Sequence, residues 1–153
     1  MHEETAQRWI NELELERHPE GGWFRRTYTS ELSIGSRPAM TSIHYLLEAG
    51  DFSALHRLKQ DEQWHFYSGE PLMLHMISPD GALSATKLGP QGPFQATVPA
   101  GHLFGASVET AYALVGCTVA PGFDFSDFEM PSRASLLADF PEHELLIRRL
   151  TRI

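Results

Sequence analysis

Hydrophobic and polar positions alternate through most of the middle of the chain. Within residues 50–69 two such runs, 53–58 and 62–67, carry an aliphatic or aromatic side chain at every second position, with Lys59, Gln60 and Asp61 as a polar break. That is the period of a half-buried strand. Parity puts His56 and Leu58 on one face of the first run and Glu62, Trp64 and Phe66 on one face of the second, while His65 and Tyr67 point the other way. If the first faces look inward, an imidazole and a carboxyl sit in an apolar interior, where buried polar groups need partners. Residues 23–29, 41–47, 72–77, 83–88, 94–98 and 111–119 also read as strands. Gly21-Gly22, Ser78-Pro79-Asp80-Gly81 and the Gly- and Pro-rich stretch 89–93 separate them as turns, and 30–39 reads as a loop. Short strands at this spacing predict an all-β sandwich or barrel.

Helical periodicity is confined to the two ends. Ala6, Trp9, Ile10 and Leu13 share one face of a helix predicted over 5–17, which Pro19 stops near His18. At the C-terminal end the tail 132–151 is expected to be helical. Pro141 suits a first helical position, and His143, Leu146, Ile147 and Leu150 share a face that packs on the outside of the barrel.

Composition narrows the function classes. At 153 residues, 42% of them hydrophobic, the chain has the makeup of one globular domain that buries roughly 70% of its unfolded surface. A formal net charge of −8 with no basic run argues against nucleic acid and against anionic membranes as partners. No apolar run approaches the roughly 20 residues a bilayer needs. The N-terminal Met-His-Glu-Glu lacks a signal-peptide pattern, and the single cysteine, Cys117, cannot pair within the chain, so a cytoplasmic setting is expected.

The spacing Gly50, five residues, His56, Leu58, three residues, Glu62, six residues, Gly69 resembles the first motif of the cupin superfamily, with Leu58 in place of that motif's second histidine. Pro99-Ala100-Gly101 resembles the second motif, with Phe104 at its histidine position. Other stretches are similar to an uncharacterised cupin group, and they occur in its order. They are His18-Pro19-Glu20-Gly21-Gly22-Trp23, Thr41-Ser42-Ile43, Asp61-Glu62-Gln63-Trp64-His65-Phe66-Tyr67, Gly69-Glu70-Pro71-Leu72, and Phe140-Pro141-Glu142-His143 leading into Ile-Arg-Arg-Leu. The resemblance implies a cupin double-stranded β-helix (an RmlC-like jelly-roll barrel) filling 1–153 as one domain. An N-terminal helix would span 5–17, the barrel 23–119 and a helical tail 132–151, and the protein would be a homodimer.

Several chemistries follow as expectations. An apolar barrel with convergent polar groups is the usual form of a ligand site. Tyr45, Trp64, Phe66 and Phe104 are its candidate walls, with His44 and Arg57 as further contacts and His56 and Glu62 as anchors. Aromatic side chains in a barrel also serve simply as packing. The same His56–Glu62 pair is a candidate for acid–base catalysis of the sugar epimerase or isomerase kind, because a carboxylate orients an imidazole and favours its protonated form. It also supplies two candidate ligands for a divalent transition metal, with His44 or His102 as a third, although Leu58 and Phe104 cannot ligate. Arg25, Arg26, Arg57 and Lys59 are candidate clamps for an anionic substrate, but Arg25 and Arg26 cannot both face inward on a straight strand. His65 and Tyr67 lie outward, covered by an N-terminal strand or a second subunit. Cys117 reads as a buried structural thiol. A non-catalytic ligand-binding dimer is the third class that fits.

Overall fold

A computed structural model describes residues 2–153, with side chains from residue 5 onward. Twelve strands follow helix α1 (His2–Glu12): β1 Glu16–Arg17, β2 Trp23–Thr29, β3 Ser33–Ile34, β4 Arg37–Pro38, β5 Thr41–Glu48, β6 Phe52–His56, β7 Asp61–Gly69, β8 Leu72–Ile77, β9 Leu83–Leu88, β10 Gln95–Val98, β11 Leu103–Val108 and β12 Tyr112–Ala120. Helices α2 (Arg133–Asp139) and α3 (Glu144–Arg149) close the chain. The strands form a six-stranded sheet in the order β1-β2-β5-β12-β7-β10, a four-stranded sheet β6-β11-β8-β9 and a small β3-β4 hairpin. Every pairing is antiparallel. The architecture is an all-β jelly roll with flanking helices.

Alternation explains the layers. Inward residues of both sheets, among them Leu47, Leu74, Val115, Tyr45, Trp64 and Phe104, meet in the main core. On the outer side of the six-stranded sheet, Leu46, Tyr112 and Leu114 are covered by Ala6 and Ile10 of α1. On the outer side of the four-stranded sheet, Leu55, Ile77 and Leu103 are covered by Leu136, Ile147 and Leu150 of the C-terminal helices. Among the described residues no helix is long and apolar enough to cross a membrane.

Three expectations need correction. The first helix stops at Glu12, well before Pro19. Glu14 takes a left-handed conformation (φ 52°), Glu14 N–H donates to the Asn11 carbonyl and Leu15 N–H to the Ile10 carbonyl. This is a Schellman close, sealed by Leu15 against Ile10, and Arg17 and Glu16 are thereby freed to pair with Trp23 and Phe24. The expected strand set leaves out 103–108, yet β11 lies inside the four-stranded sheet. Its Gly105, Ala106 and Ser107 are poor strand formers in isolation, but a Cβ on Gly105 would come within 2.7 Å of the Ser53 carbonyl oxygen. Close approach of two backbones selects the small residue. Finally, the loop 30–39 contains the β3-β4 hairpin, turned at Gly35 (φ 61°).

Candidate functional site

One turn and two sheets build the site. The turn is His18-Pro19-Glu20-Gly21-Gly22, just before β2. His18 N–H donates to the Gly22 carbonyl at 2.9 Å and Gly21 N–H to the His18 carbonyl at 3.0 Å. Gly21 and Gly22 have φ of 110° and 79°, and a Cβ on Gly21 would overlap the Phe52 carbonyl oxygen. Only glycine fits that combination. The turn is fastened from outside by Tyr45, whose hydroxyl donates to the Gly21 carbonyl at 2.6 Å, and by Asp51, which accepts from Gly22 N–H at 2.8 Å. Arg152 and Ala54 N–H both donate to the Glu20 carbonyl, at 2.9 and 2.8 Å. The Glu20 side chain is thus held in the interior, 5% exposed.

His56 arrives from β6. Phe104 pairs with His56 and Ala106 with Ser53, so Gly105 faces both Ala54 and Leu55 across a bulge. Within that bulge the His56 Nδ1–H donates to the Ala54 carbonyl at 2.7 Å. A carbonyl can only accept, so Nδ1 carries the proton. The other nitrogen, Nε2, lies 2.7 Å from Glu20 Oε2. Burial alone would lower the His56 pKa, but the adjacent Glu20 carboxylate, then Glu62 and the Ala54 carbonyl, hold it above 6.5. Burial alone would raise Glu20, but the His56 charge and hydrogen bond bring it below 4.5. Both directions describe a charged pair, Glu20 carboxylate with His56 imidazolium.

His18 behaves differently. Its Nδ1 accepts from Glu20 N–H at 3.1 Å, which assigns the proton to Nε2. Burial is the main reason its pKa falls below 6.5; Glu20 opposes the fall and His56 adds to it. The result is a neutral imidazole whose Nε2–H is left for the cavity.

Glu62 faces the pair from β7 in the other sheet. It is 7% exposed. Burial drives its pKa up from 4.5 to about 7, against the attraction of His56 and with the repulsion of Glu20. The Cys117 thiol and the Trp64 indole favour the ionised form, although the indole N–H finds no partner at hydrogen-bond geometry. Burial and Glu62 together push the Cys117 thiol up.

These groups line one cavity. Its empty volume is about 510 Å³, open mouth included. Phe24, Arg26, Thr41, Ile43, Leu58 and Val119 contribute walls, and Phe123, Phe125 and Phe128 form a strap over it. Phe123 and Phe125 stack edge to face with centroids 4.8 Å apart, and His56 lies between Phe104 at 4.0 Å and Phe128 at 5.3 Å. The strap is tied down by the Arg37–Asp127 ion pair at 2.8 Å, by Gln60 donating to Asp127 at 2.7 Å, and by a β-bridge between Arg57 and Glu129.

The residues singled out from sequence separate into groups. His56 and Glu62 both line the cavity, but they come from opposite sheets rather than adjacent strands, and the ion-pair partner of His56 is Glu20. Tyr45, Trp64 and Phe104 are at most 1% exposed and pack edge to face beyond the cavity walls, Tyr45 to Trp64 at 5.8 Å and Trp64 to Phe104 at 6.3 Å. Phe66 packs on the same core. His44 lies on the outer face of the six-stranded sheet against Tyr67, with ring centroids 6.1 Å apart. Arg57 is engaged with Glu129 at 3.1 Å on the strap, and His102 is outside the cavity with Nδ1 buried and unpartnered. Of the two adjacent arginines, Arg26 lines the cavity while Arg25 turns out to Glu14 at 3.4 Å. Lys59 is exposed. His18, Glu20 and the three strap phenylalanines were not among the candidates. The sequence signals for them were the His-Pro-Glu-Gly-Gly turn and the apolar spacing Phe-x-Phe-x-x-Phe in an otherwise polar segment.

A divalent metal does not fit this donor set. Both nitrogens of His56 are engaged, hydrocarbon occupies Leu58 and Phe104, and among the described residues no three His, Cys, Asp or Glu side chains stand in a metal-holding arrangement.

The family model described as "Cupin superfamily (DUF985)" matches residues 7–131. Protein SO0799 from Shewanella oneidensis is similar at 42% identity, over 96% of this chain and 97% of that one, with a TM-score of 0.91. A hypothetical protein from Leishmania major is similar at 34% identity, over 97% and 99% of the two chains, with a TM-score of 0.92. Oxalate decarboxylase from Bacillus subtilis shares the fold at 17% identity and a TM-score of 0.62, over 88% of this chain and 36% of that one. Nothing among proteins of curated function matches the sequence.

Proposed function

The chain belongs to the cupin superfamily, in the group described as DUF985, and on that footing we propose that it binds a small polar, sugar-like or hydroxy-carbonyl molecule in this cavity and moves a proton on it. The observation that carries the proposal is Glu62, a buried carboxyl that lines an open cavity and titrates at about 7. A carboxyl tuned to that value serves as acid or base at neutral pH. In the carboxylate form it takes a proton from carbon beside a carbonyl, the electron pair moves onto the carbonyl oxygen, and the His18 Nε2–H donates to that oxygen. Return of the proton to the same or the neighbouring carbon gives exchange or isomerisation. His56 does not touch the ligand through nitrogen, because both nitrogens are engaged. It acts as a positioning residue that balances Glu20 and biases Glu62.

The test is deuterium incorporation from solvent into small ketones, keto acids and keto-sugars. Wild type should catalyse exchange with at least one of them, and Glu62→Gln should slow it by about a hundredfold or more. A compound that binds in the cavity yet never exchanges would reduce the reading to a non-catalytic binding site. The single buried thiol supports a reducing, cytoplasmic setting. Exposed Tyr67 and Phe94 beside the uncovered part of the six-stranded sheet support a homodimer, which light scattering at micromolar concentration would test.

A further inference from the structure

Arg26 is the charged group that the proton-transfer reading leaves without a task. It sits two residues beyond Phe24 on β2, opposite Ile43, and all three side chains line the cavity. The chain carries 20 acidic residues against 12 basic ones, so carboxylates are plentiful. Seven other arginines form ion pairs with them. Among the described residues Arg26 forms none; its one hydrogen bond is a 3.5 Å contact to the Phe123 carbonyl. A guanidinium at a cavity mouth with its fork unmatched is suited to a planar carboxylate.

Charge and size narrow the class. Glu20 and His56 cancel as a pair, so with Glu62 protonated the cavity carries one net positive charge, that of Arg26. One negative charge on the ligand balances it, whereas the second charge of a dianion such as a phosphate monoester would meet no cation in the lining. The cavity is about 510 Å³ with its open mouth included, so the space inside the mouth suits a small acid rather than a long one.

We propose that the ligand is a small monocarboxylate, a hydroxy or oxo acid whose carboxylate is met by Arg26 at the mouth while its hydroxyl or carbonyl reaches His18 and Glu62 inside. This rests on the cavity being the ligand site. The acid binds more tightly when Glu62 is protonated. The groups that act on Glu62 are His56 from β6, Glu20 from the turn and Cys117 from β12, with Trp64 on its own strand, and His18 and Arg26 share its cavity lining. His18 is already neutral and His56 stays paired with Glu20 in wild type and in Glu62→Gln alike, so a pH dependence that Glu62→Gln removes belongs to Glu62.

Calorimetry on the intact protein tests this with sodium pyruvate and sodium lactate, and with hydroxyacetone and propylene glycol as uncharged counterparts. The acids should bind at least about tenfold more tightly than the uncharged compounds, and Arg26→Gln should weaken the acids by about tenfold or more while leaving the uncharged compounds unchanged. Arg26 is exposed, so the variant should melt at the wild-type temperature. Acid affinity should fall as pH rises through about 7 in wild type and stay level in Glu62→Gln. If the uncharged compounds bind as well as the acids, or Arg26→Gln keeps full acid affinity, the carboxylate assignment is overturned while the proton-transfer site stands. Deuterium exchange into hydroxyacetone but not pyruvate has the same meaning. Absence of binding by all four overturns the small-acid assignment, and the proton-transfer reading then stands or falls on exchange into the keto-sugars.

Discussion

Glu62→Gln should make the protein's stability less dependent on pH, and the size of the effect follows from the site. In the unfolded chain this carboxyl titrates near 4.5; in the folded protein it titrates at about 7, chiefly because of burial. Between those values the folded state holds a proton that the unfolded state has released, so stability falls as pH rises. At about 1.4 kcal/mol per pH unit, carrying the titration from 4.5 to about 7 removes about 3 kcal/mol of stability by about pH 8. Glutamine has nearly the same shape and no such titration. The difference in unfolding free energy between Glu62→Gln and wild type should therefore shift in favour of the variant by about 3 kcal/mol between about pH 4 and about pH 8. Urea unfolding of both proteins at the two pH values measures it, and groups common to both drop out of the comparison. If the variant differs from wild type by the same amount at both, Glu62 is not a buried carboxyl with a raised pKa. The acid–base role then loses its foundation.

Two further outcomes follow from the surroundings of that residue. Glu20→Ala strips a buried imidazolium of its counterion, which typically costs about 3–5 kcal/mol, and Glu20→Ala combined with His56→Ala should cost less than the sum of the single variants in urea unfolding; strict additivity would mean that no pair exists. Arg37→Ala releases the two-point grip on Asp127, at 2.8 and 3.2 Å, so amide exchange should quicken in 121–131 and not in the strands, and equal protection in both proteins would show that the strap is held by its phenyl rings alone.

Strand parity was legible because a sheet residue can face only one of two ways. It brought His56 and Glu62 indoors and separated Arg25 from Arg26. It failed to pair His56 correctly because parity says nothing about which sheet a strand joins. β6 and β7 are neighbours in sequence, yet one lies in the four-stranded sheet and the other in the six-stranded sheet. The true partner, Glu20, sits on a turn whose paired glycines advertise a bend but not its destination. That destination is set by long-range contacts: Arg152 near the chain end donates to the Glu20 carbonyl and pairs with Asp51 at 2.9 Å, while Tyr45 holds Gly21. β11 went unseen for a related reason. Its small residues are chosen by the closeness of β6, a demand that no local pattern displays.

The chemistry of the cavity comes from an unequal division of one positive charge between two carboxyls. Glu20 and Glu62 are both buried, and burial alone would leave both neutral. His56 is fixed by the Ala54 carbonyl so that its Nε2 points at Glu20. Glu20 therefore ionises and Glu62, which receives the same imidazolium only at a distance and repulsion from Glu20 besides, keeps its proton to about pH 7. Two like groups whose surroundings drive their titrations apart take different tasks: one becomes a fixed charge, the other remains free to give and take a proton. Hydrocarbon at Leu58 and Phe104 protects this division, since a further donor there would compete for the His56 charge. For the proposed carboxylate ligand, the division also gives Arg26 its task at the mouth. With the imidazolium committed to Glu20, an anionic ligand has no other full positive charge in the cavity lining to meet.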